Sequence, residues 1–196
     1  MAFDPKETKN ELIAWIRDWF EENGRGCNAI VGISGGKNSS ICAALCVEAL
    51  GRDRVVGILM PNLKQDDIGD SYQLVSHLDI KNFTIPISIA VASIHNQLEH
   101  EGIEVSTQTT MDLPSRIRMS VLYAVSQSMN GRVVNTYNLT EGVDSRNVGD
   151  IFPLSCMTTQ EIKAIGKELG LPDNLIDKPS TNDLYLKAES VFEYKI

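Results

Sequence analysis

Residues 28 to 40 read Asn28-Ala29-Ile30-Val31-Gly32-Ile33-Ser34-Gly35-Gly36-Lys37-Asn38-Ser39-Ser40, and the fold is decided here. An apolar run, Ala29 to Ile33, breaks at once into Ser-Gly-Gly-Lys. A second apolar stretch, Ile41 to Leu50, follows directly. That order predicts a strand, a tight glycine turn and a buried helix opening near Ser39. Paired glycines admit positive φ and let a ligand approach the backbone. The N–H groups of the helix's first turn point back at the glycines, which makes a ready anion site. A bare Gly-Gly pair would be an ordinary strand-to-helix connection. Ser34, Lys37, Ser39 and Ser40 add hydroxyls and a cation around this one, which is phosphate chemistry.

The flanking sequence alternates in the same way. Leu12, Ile13, Trp15, Ile16, Trp19 and Phe20 recur at helical spacing within residues 6 to 22, and Asn23-Gly24 ends that helix. Arg54 to Met60 is a continuous apolar strand of the kind that parallel sheets cover on both faces. Asp66 to His77 reads as a helix, Phe83 to Ile87 as a short strand, and Ile89 to Glu99 as a helix capped by Ser88. Residues 101 to 110 read as a loop. Asp112 is expected to cap the next helix, with Pro114 in its first turn. On that helix Ile117, Val121, Ala124, Val125 and Ser128 form one face, and Arg116, Ser120 and Tyr123 lie on another. Arg132 to Thr136 is a fourth strand and residues 142 to 149 a polar loop. Thr158-Thr159-Gln160-Glu161 is a capping box opening a helix to Leu169. The alternation predicts an α/β fold: a doubly wound, mostly parallel sheet with helices on both faces. Right-handed crossovers place the Ser-Gly-Gly loop at the carboxyl edge of the sheet. The segment Asn135 to Glu141 leaves the same edge. Glu141 therefore stands where magnesium beside phosphate needs an oxygen ligand, the plainer reading being a surface glutamate. Lys178-Pro179-Ser180-Thr181 offers further phosphate donors.

Composition narrows the function. With 196 residues, 42% of them hydrophobic, the chain can build one domain with a core. A net charge of −8 argues against a general nucleic-acid binder, which shows a basic face. No apolar run reaches membrane length, and the segment from Met1 to Lys6 opens no signal-peptide core. The expectation is a cytoplasmic protein without nucleic-acid or membrane partners. Cys27, Cys42, Cys46 and Cys156 contain no Cys-x2-Cys pair and read as buried, reduced thiols. His77, His95 and His100 share no ligand spacing and read as surface or helix-end residues.

Ser34-Gly35-Gly36-Lys37-Asn38-Ser39 resembles the pyrophosphatase loop, Ser-Gly-Gly-x-Asp-Ser, of enzymes that split ATP into AMP and pyrophosphate. The spacing is not that of a Walker loop. The whole chain is similar to the ammonia-dependent NAD synthetase family. Four blocks carry the likeness: Gly32 to Ser40, Ser115 to Met119, Asn135 to Glu141, and Asp150 to Leu154 with the helix that follows. The resemblance implies an adenine nucleotide alpha hydrolase-like fold and an enzyme that adenylates the carboxylate of nicotinic acid adenine dinucleotide with ATP and magnesium. Ammonia then displaces AMP to give NAD. It also implies that Gly32, Ile33, Ser34, Gly35, Gly36, Lys37, Asn38, Ser39, Thr136, Thr159 and Thr181 lie at the ATP site. Arg116 and Asp150 would contact the dinucleotide, and Asn38 and Glu141 would hold magnesium. The partners implied are deamido-NAD, ammonia and a second copy of the chain. No glutaminase domain precedes the loop, so ammonia is expected from solution or from another protein.

The sequence departs from the family at named places. Asn38 replaces a magnesium-binding Asp; its amide oxygen can ligate the ion without the negative charge. Asp112 stands for the usual Asn, and Thr159 for a phosphate-binding Lys of many members. Residues 142 to 149 form a shorter loop than usual without the expected lysine. The segment after Asp183-Leu184 is also shorter, and a family His-Lys pair has no match. The expectation is a single NAD synthetase-like domain over residues 1–196, lacking or omitting some of the family's loop and C-terminal segments. Two other readings stay open. One is another pyrophosphatase-loop enzyme, such as a GMP synthetase-type ligase; the thiolating members need catalytic cysteines or a basic RNA surface, and neither is evident. The other is a catalytically impaired nucleotide-binding homologue, which Asn38, Thr159 and the short tail keep in play.

Overall fold

The computed structural model describes residues 3–63, 68–140 and 148–178. Asp4 opens the first helix by accepting from the N–H groups of Lys6 and Glu7, each at 2.9 Å. Helix α1 (Pro5–Asn23) turns Ile16 and Phe20 into the core, while Trp15 is 44% exposed. Strand β1 (Asn28–Gly32) leads into α2 (Lys37–Leu50), and a single 3-10 turn at Arg52–Arg54 leads into β2 (Val55–Leu59). Then come α3 (Ile68–His77), β3 (Lys81–Thr84), α4 (Ser88–His100), α5 (Thr107–Ser128), β4 (Gly131–Val134), α6 (Thr159–Glu168) and α7 (Asp173–Ile176).

The described strands form one parallel sheet in the order β3-β2-β1-β4. The chain steps outward from β1 to β3, then returns across the sheet to place β4 on the other side of β1. Right-handed crossovers therefore put α2 and α3 on one face, and α4 and α5 on the other. The packing agrees. Ile41, Leu45 and Leu74 gather with Ile16, Phe20, Ile162 and Ile165 in one apolar cluster. Ile87, Val91 and Leu122 gather with Ile30, Val56, Ile58 and Val133 in the second. Val134 pairs in parallel with Ile151, so the segment after the polar loop extends the β4 edge. The doubly wound reading holds, and its switch point lies between β1 and β4, where such sheets bind ligands.

Several local expectations change. Helix α2 starts at Lys37, with Gly36 as its N-cap. Helix α5 starts five residues before Asp112, because Ser106 caps it and accepts from Thr109 N–H at 3.1 Å. Pro114 is thus interior. It removes the helical donor to Thr110, whose position is exposed so that water can replace it. Asp112 instead accepts from Gln108 Nε2 at 2.7 Å. The α5 residues that bury fully are Leu122 and Ser126, not the expected Ile117–Val121–Ala124 stripe, which is half-buried or exposed. Ser88 lies inside α4 and makes no cap, the N-cap being Ile87. Strand β3 ends at Thr84, although Ile85 and Ile87 still donate to the Leu59 and Pro61 carbonyls; Pro86 between them falls on the open edge, where its missing N–H costs no ladder bond. Cys27, Cys42 and Cys46 are buried as expected; Cys156 is exposed. His95 sits in the middle of α4, half-buried, with an unpartnered Nε2.

Candidate active site

The loop after β1 is built for an anion. Ile33 N–H donates to Ile58 O at 2.8 Å and carries the sheet one residue past β1. Gly35 then takes φ +75. A Cβ there would lie 3.1 Å from Asp70 Cβ and 3.2 Å from Ser71 N, so both conformation and space require glycine. Ser39 locks the turn: its Oγ accepts from Ser34 N–H at 3.3 Å, lies 3.1 Å from Ser34 Oγ, and donates to Gly36 O at 3.0 Å. Ser40 Oγ also donates to Gly36 O, at 2.9 Å. Gly36 brings no side-chain cap to α2. The positive end of the α2 dipole therefore meets the loop without a side-chain acceptor from its N-cap residue.

The segment after β4 closes against this loop. Asn138 Oδ1 accepts from Thr140 N–H at 2.9 Å. A backbone N–H can only donate, so this bond assigns the amide, and Asn138 Nδ2 faces Asn38 Oδ1 at 3.4 Å. Asn135 makes a similar turn by accepting from Tyr137 N–H at 2.8 Å. Its backbone carbonyl also receives the Cys42 thiol of α2 at 3.7 Å. On the far side Thr159 N–H, at the start of α6, donates to Thr140 Oγ1 at 3.3 Å. Thr136 is half-buried in the same segment. Among the described residues, six of the seven buried polar side chains, Lys37, Ser39, Ser40, Ser71, Asn135 and Asn138, belong to this edge, and the seventh is Ser126 of α5. Polar groups are costly to bury in a core, so their concentration marks the site.

The α6 end of the site is held by its capping box. Thr158 N–H and Oγ1 both reach Glu161 Oε2, at 2.8 and 2.7 Å, and these bonds hold the Glu161 carboxyl below its ordinary pKa. Asp150 does structural work at the sheet edge: its Oδ2 accepts from Val133 N–H at 2.7 Å. Burial, and then the Asp150 charge, push the Tyr123 phenol above its ordinary pKa. Arg116 is exposed, two turns before Tyr123 on α5. Burial pushes the Cys46 thiol up to about 12, which makes it inert packing rather than a nucleophile. Glu141 and Thr181 lie outside the described residues. The sequence reading singled out neither Asn138 nor Asp70. The Asn-x-Thr spacing of Asn138 to Thr140 is a local turn signal; Asp70 has none, because its relation to Gly35 exists only across the fold.

A parallel switch-point sheet with a serine-glycine loop feeding a helix N-terminus is the architecture of an adenine nucleotide alpha hydrolase-like α/β protein. The chain belongs to the NAD synthase family, whose model matches residues 8–193. It is 31% identical to the NH(3)-dependent NAD(+) synthetase of Methanocaldococcus jannaschii over 92% of this chain and 72% of that protein. It is 34% identical to the enzyme of the same name from Methanosarcina acetivorans, over 93% and 74%. Among solved structures, the NMN synthetase of Francisella tularensis superimposes with a TM-score of 0.82 at 27% identity, covering 93% of this chain and 77% of that one.

Proposed function

We propose that the chain forms NAD from deamido-NAD and ammonia at the expense of ATP. The observation that carries this reading is the serine-bonded loop and the N-terminus of α2 at the β1–β4 switch point. Ammonia cannot displace oxide from a free carboxylate, because the leaving group is too basic. The substrate carboxylate oxygen therefore attacks the α-phosphorus of ATP. The bond to the β-phosphate bridging oxygen breaks and pyrophosphate leaves. Ammonia adds to the resulting acyl-adenylate carbonyl, loses a proton, and expels AMP to give the amide. Ser34, Gly35, Gly36, Lys37, Asn38 and Ser39, set against Gly32 and Ile33, hold the phosphates and stabilise charge growing on pyrophosphate. The loop's backbone is fixed in advance by Ser34 N–H donating to Ser39 Oγ and Gly36 N–H donating to Ser34 Oγ. Thr136 and Thr159 line the same edge, and Thr181 lies three residues beyond Lys178, which is tied to that edge through Asp70. Arg116 offers a fork for substrate phosphate or carboxylate, and Asp150 a carboxylate for the dinucleotide.

Magnesium, when bound, would shield the phosphates of ATP and would need oxygen ligands from the chain. Asn38 places an amide oxygen at the loop, 3.4 Å from Asn138 Nδ2, and this donor type fits such an ion. Asn38 and Glu141 would hold it. A homodimer is the proposed assembly, supported by the apolar residues Ile89, Ile94 and Met111 exposed on α4 and α5. A cytoplasmic location is proposed because all four cysteines are free. No described helix is long and apolar enough to cross a membrane.

A second reading is favoured by one observation: the Francisella protein of this fold is an NMN synthetase. The same chemistry would then act on the nicotinic acid mononucleotide. The test offers each carboxylate with ATP, magnesium and ammonium, and follows amide, AMP and pyrophosphate together. NAD forming in step with AMP is expected. NMN in its place would transfer the activity to the smaller substrate, and AMP release with neither would overturn amidation.

A further inference from the structure

The ATP reading of the loop leaves one close pair of charges without a role. Lys178 Nζ lies 2.6 Å from Asp70 Oδ2, with the two side chains 17% and 31% exposed. Asp70 is in the first turn of α3 and backs the phosphate loop directly, its Cβ standing 3.1 Å from where a Gly35 Cβ would be. Its neighbour Ser71 is buried and donates to Ile33 O at 3.5 Å. The Asp70 carboxylate is one bond beyond that Cβ. A bare negative charge there would oppose a triphosphate on the other side of Gly35.

The obvious alternative is that the pair simply ties the end of the described chain to α3. That tie exists without it. Gln73 of α3 and Asn174 of α7 exchange two amide hydrogen bonds, at 2.8 and 3.4 Å. Leu175 and Ile176 are fully buried beside them. Helix α7 is therefore anchored by packing and by neutral groups, and the contribution left to the ion pair is its charge.

We propose that Lys178 is a positioning residue of the ATP site that works by neutralising Asp70, so that the carboxylate backing the phosphate loop does not repel the nucleotide. The inference rests on the loop being the ATP site. It predicts opposite signs for the two single substitutions, which a mechanical tie does not.

The experiment is calorimetric titration of MgATP into the full chain at low and at high salt, with thermal unfolding of each variant as the fold control. At low salt Lys178→Met is expected to weaken ATP about tenfold, and Asp70→Asn to tighten it about threefold. The double variant is expected to return to within about threefold of wild type, and Lys178→Arg to stay there. The differences shrink at high salt. Equal weakening in both single variants and the double would mean a tie only, and would overturn the proposal. So would a double variant as weak as Lys178→Met, which would place the lysine on phosphate itself. Unchanged binding in Lys178→Met would overturn it too. If Lys178→Met does not fold, Asp70→Asn decides, and weaker binding there rejects the idea. Wild-type protein that binds no ATP would remove the reading of the loop, and the inference with it, an outcome distinct from all of these.

Discussion

Helices α2 and α5 cover opposite faces of the same sheet, and their burial differs sharply. Ten of the 14 residues of α2 are buried; of the 22 in α5, only Leu122 and Ser126 are. Helix α2 is enclosed by β1, β2, α1, α6 and α7, so nearly every direction meets protein. Helix α5 has the sheet on one side, while Ile117, Val121 and Val125 stay half-buried and Ala124 exposed. The first face is a finished core whose buried end carries the Ser34–Ser39 loop. The second has apolar surface to spare, with Ile89 of α4 82% exposed nearby. An apolar face left half-covered is where a second copy would add burial.

The largest effect should separate the faces directly. Leu45→Ala on α2 is expected to cost about 2–5 kcal/mol of stability, whereas Val121→Ala on α5 should cost under about 1 kcal/mol. Denaturant unfolding of the two variants measures this, and similar losses would break the comparison. Next, Ile89→Asp combined with Ile94→Asp should raise the dimer dissociation constant at least about tenfold while moving the unfolding free energy by no more than about 0.5 kcal/mol. Sedimentation equilibrium reads the first quantity. A wild-type chain that is already monomeric at micromolar concentration would leave the second face without the proposed partner.

At the seam between the faces, Asn38→Asp restores a charged oxygen beside the loop. It should strengthen the magnesium-dependent part of ATP binding about tenfold, about 1.4 kcal/mol, and raise turnover. Equal effects with magnesium and with a chelator would deny position 38 a role at the ion. Thr158→Ala should cost about 1 kcal/mol by removing the α6 cap. That loss depends on pH. The Glu161 pKa is lowered in the folded state, so its stabilising share is full above the unfolded glutamate value, about 4.3, and disappears as pH falls through the lower folded value. The gap between wild type and variant should therefore narrow in acid without closing, because the Thr158 hydroxyl still accepts from Glu161 N–H there. The smallest effect is spectroscopic. Asp150→Asn should lower the Tyr123 pKa yet leave it above an ordinary tyrosine, because burial is the larger cause. An unmoved ultraviolet titration would mean that the carboxylate and the phenol do not interact.

Much of the site was legible because its parts are local. Ser34 to Ser40 folds on itself through bonds spanning two to five residues, and Thr158 reaches only to Glu161. Such contacts leave a spacing in the sequence. Pro114 shows where local reading fails: its preferred place in a first turn suggested a helix start, but Ser106 supplied an earlier cap and exposed Thr110 tolerated the missing bond. Helix α5 carries apolar residues on adjoining stripes, and no local rule says which of them the sheet will take.

By itself the sequence determined the strand-loop-helix unit, the alternation that makes a parallel sheet, and the serine and glycine types of the loop after β1. These follow from backbone sterics and hydrophobic spacing, which act over a few residues. Only the tertiary structure decided the strand order that opens the switch point beside β1 and the choice of Leu122 over Val121. It alone also set Asn138 against Asn38 and put Lys178 on Asp70. Those partners are about a hundred residues apart in the chain. Their meeting depends on how the whole sheet is wound, and no pattern within a single segment encodes it.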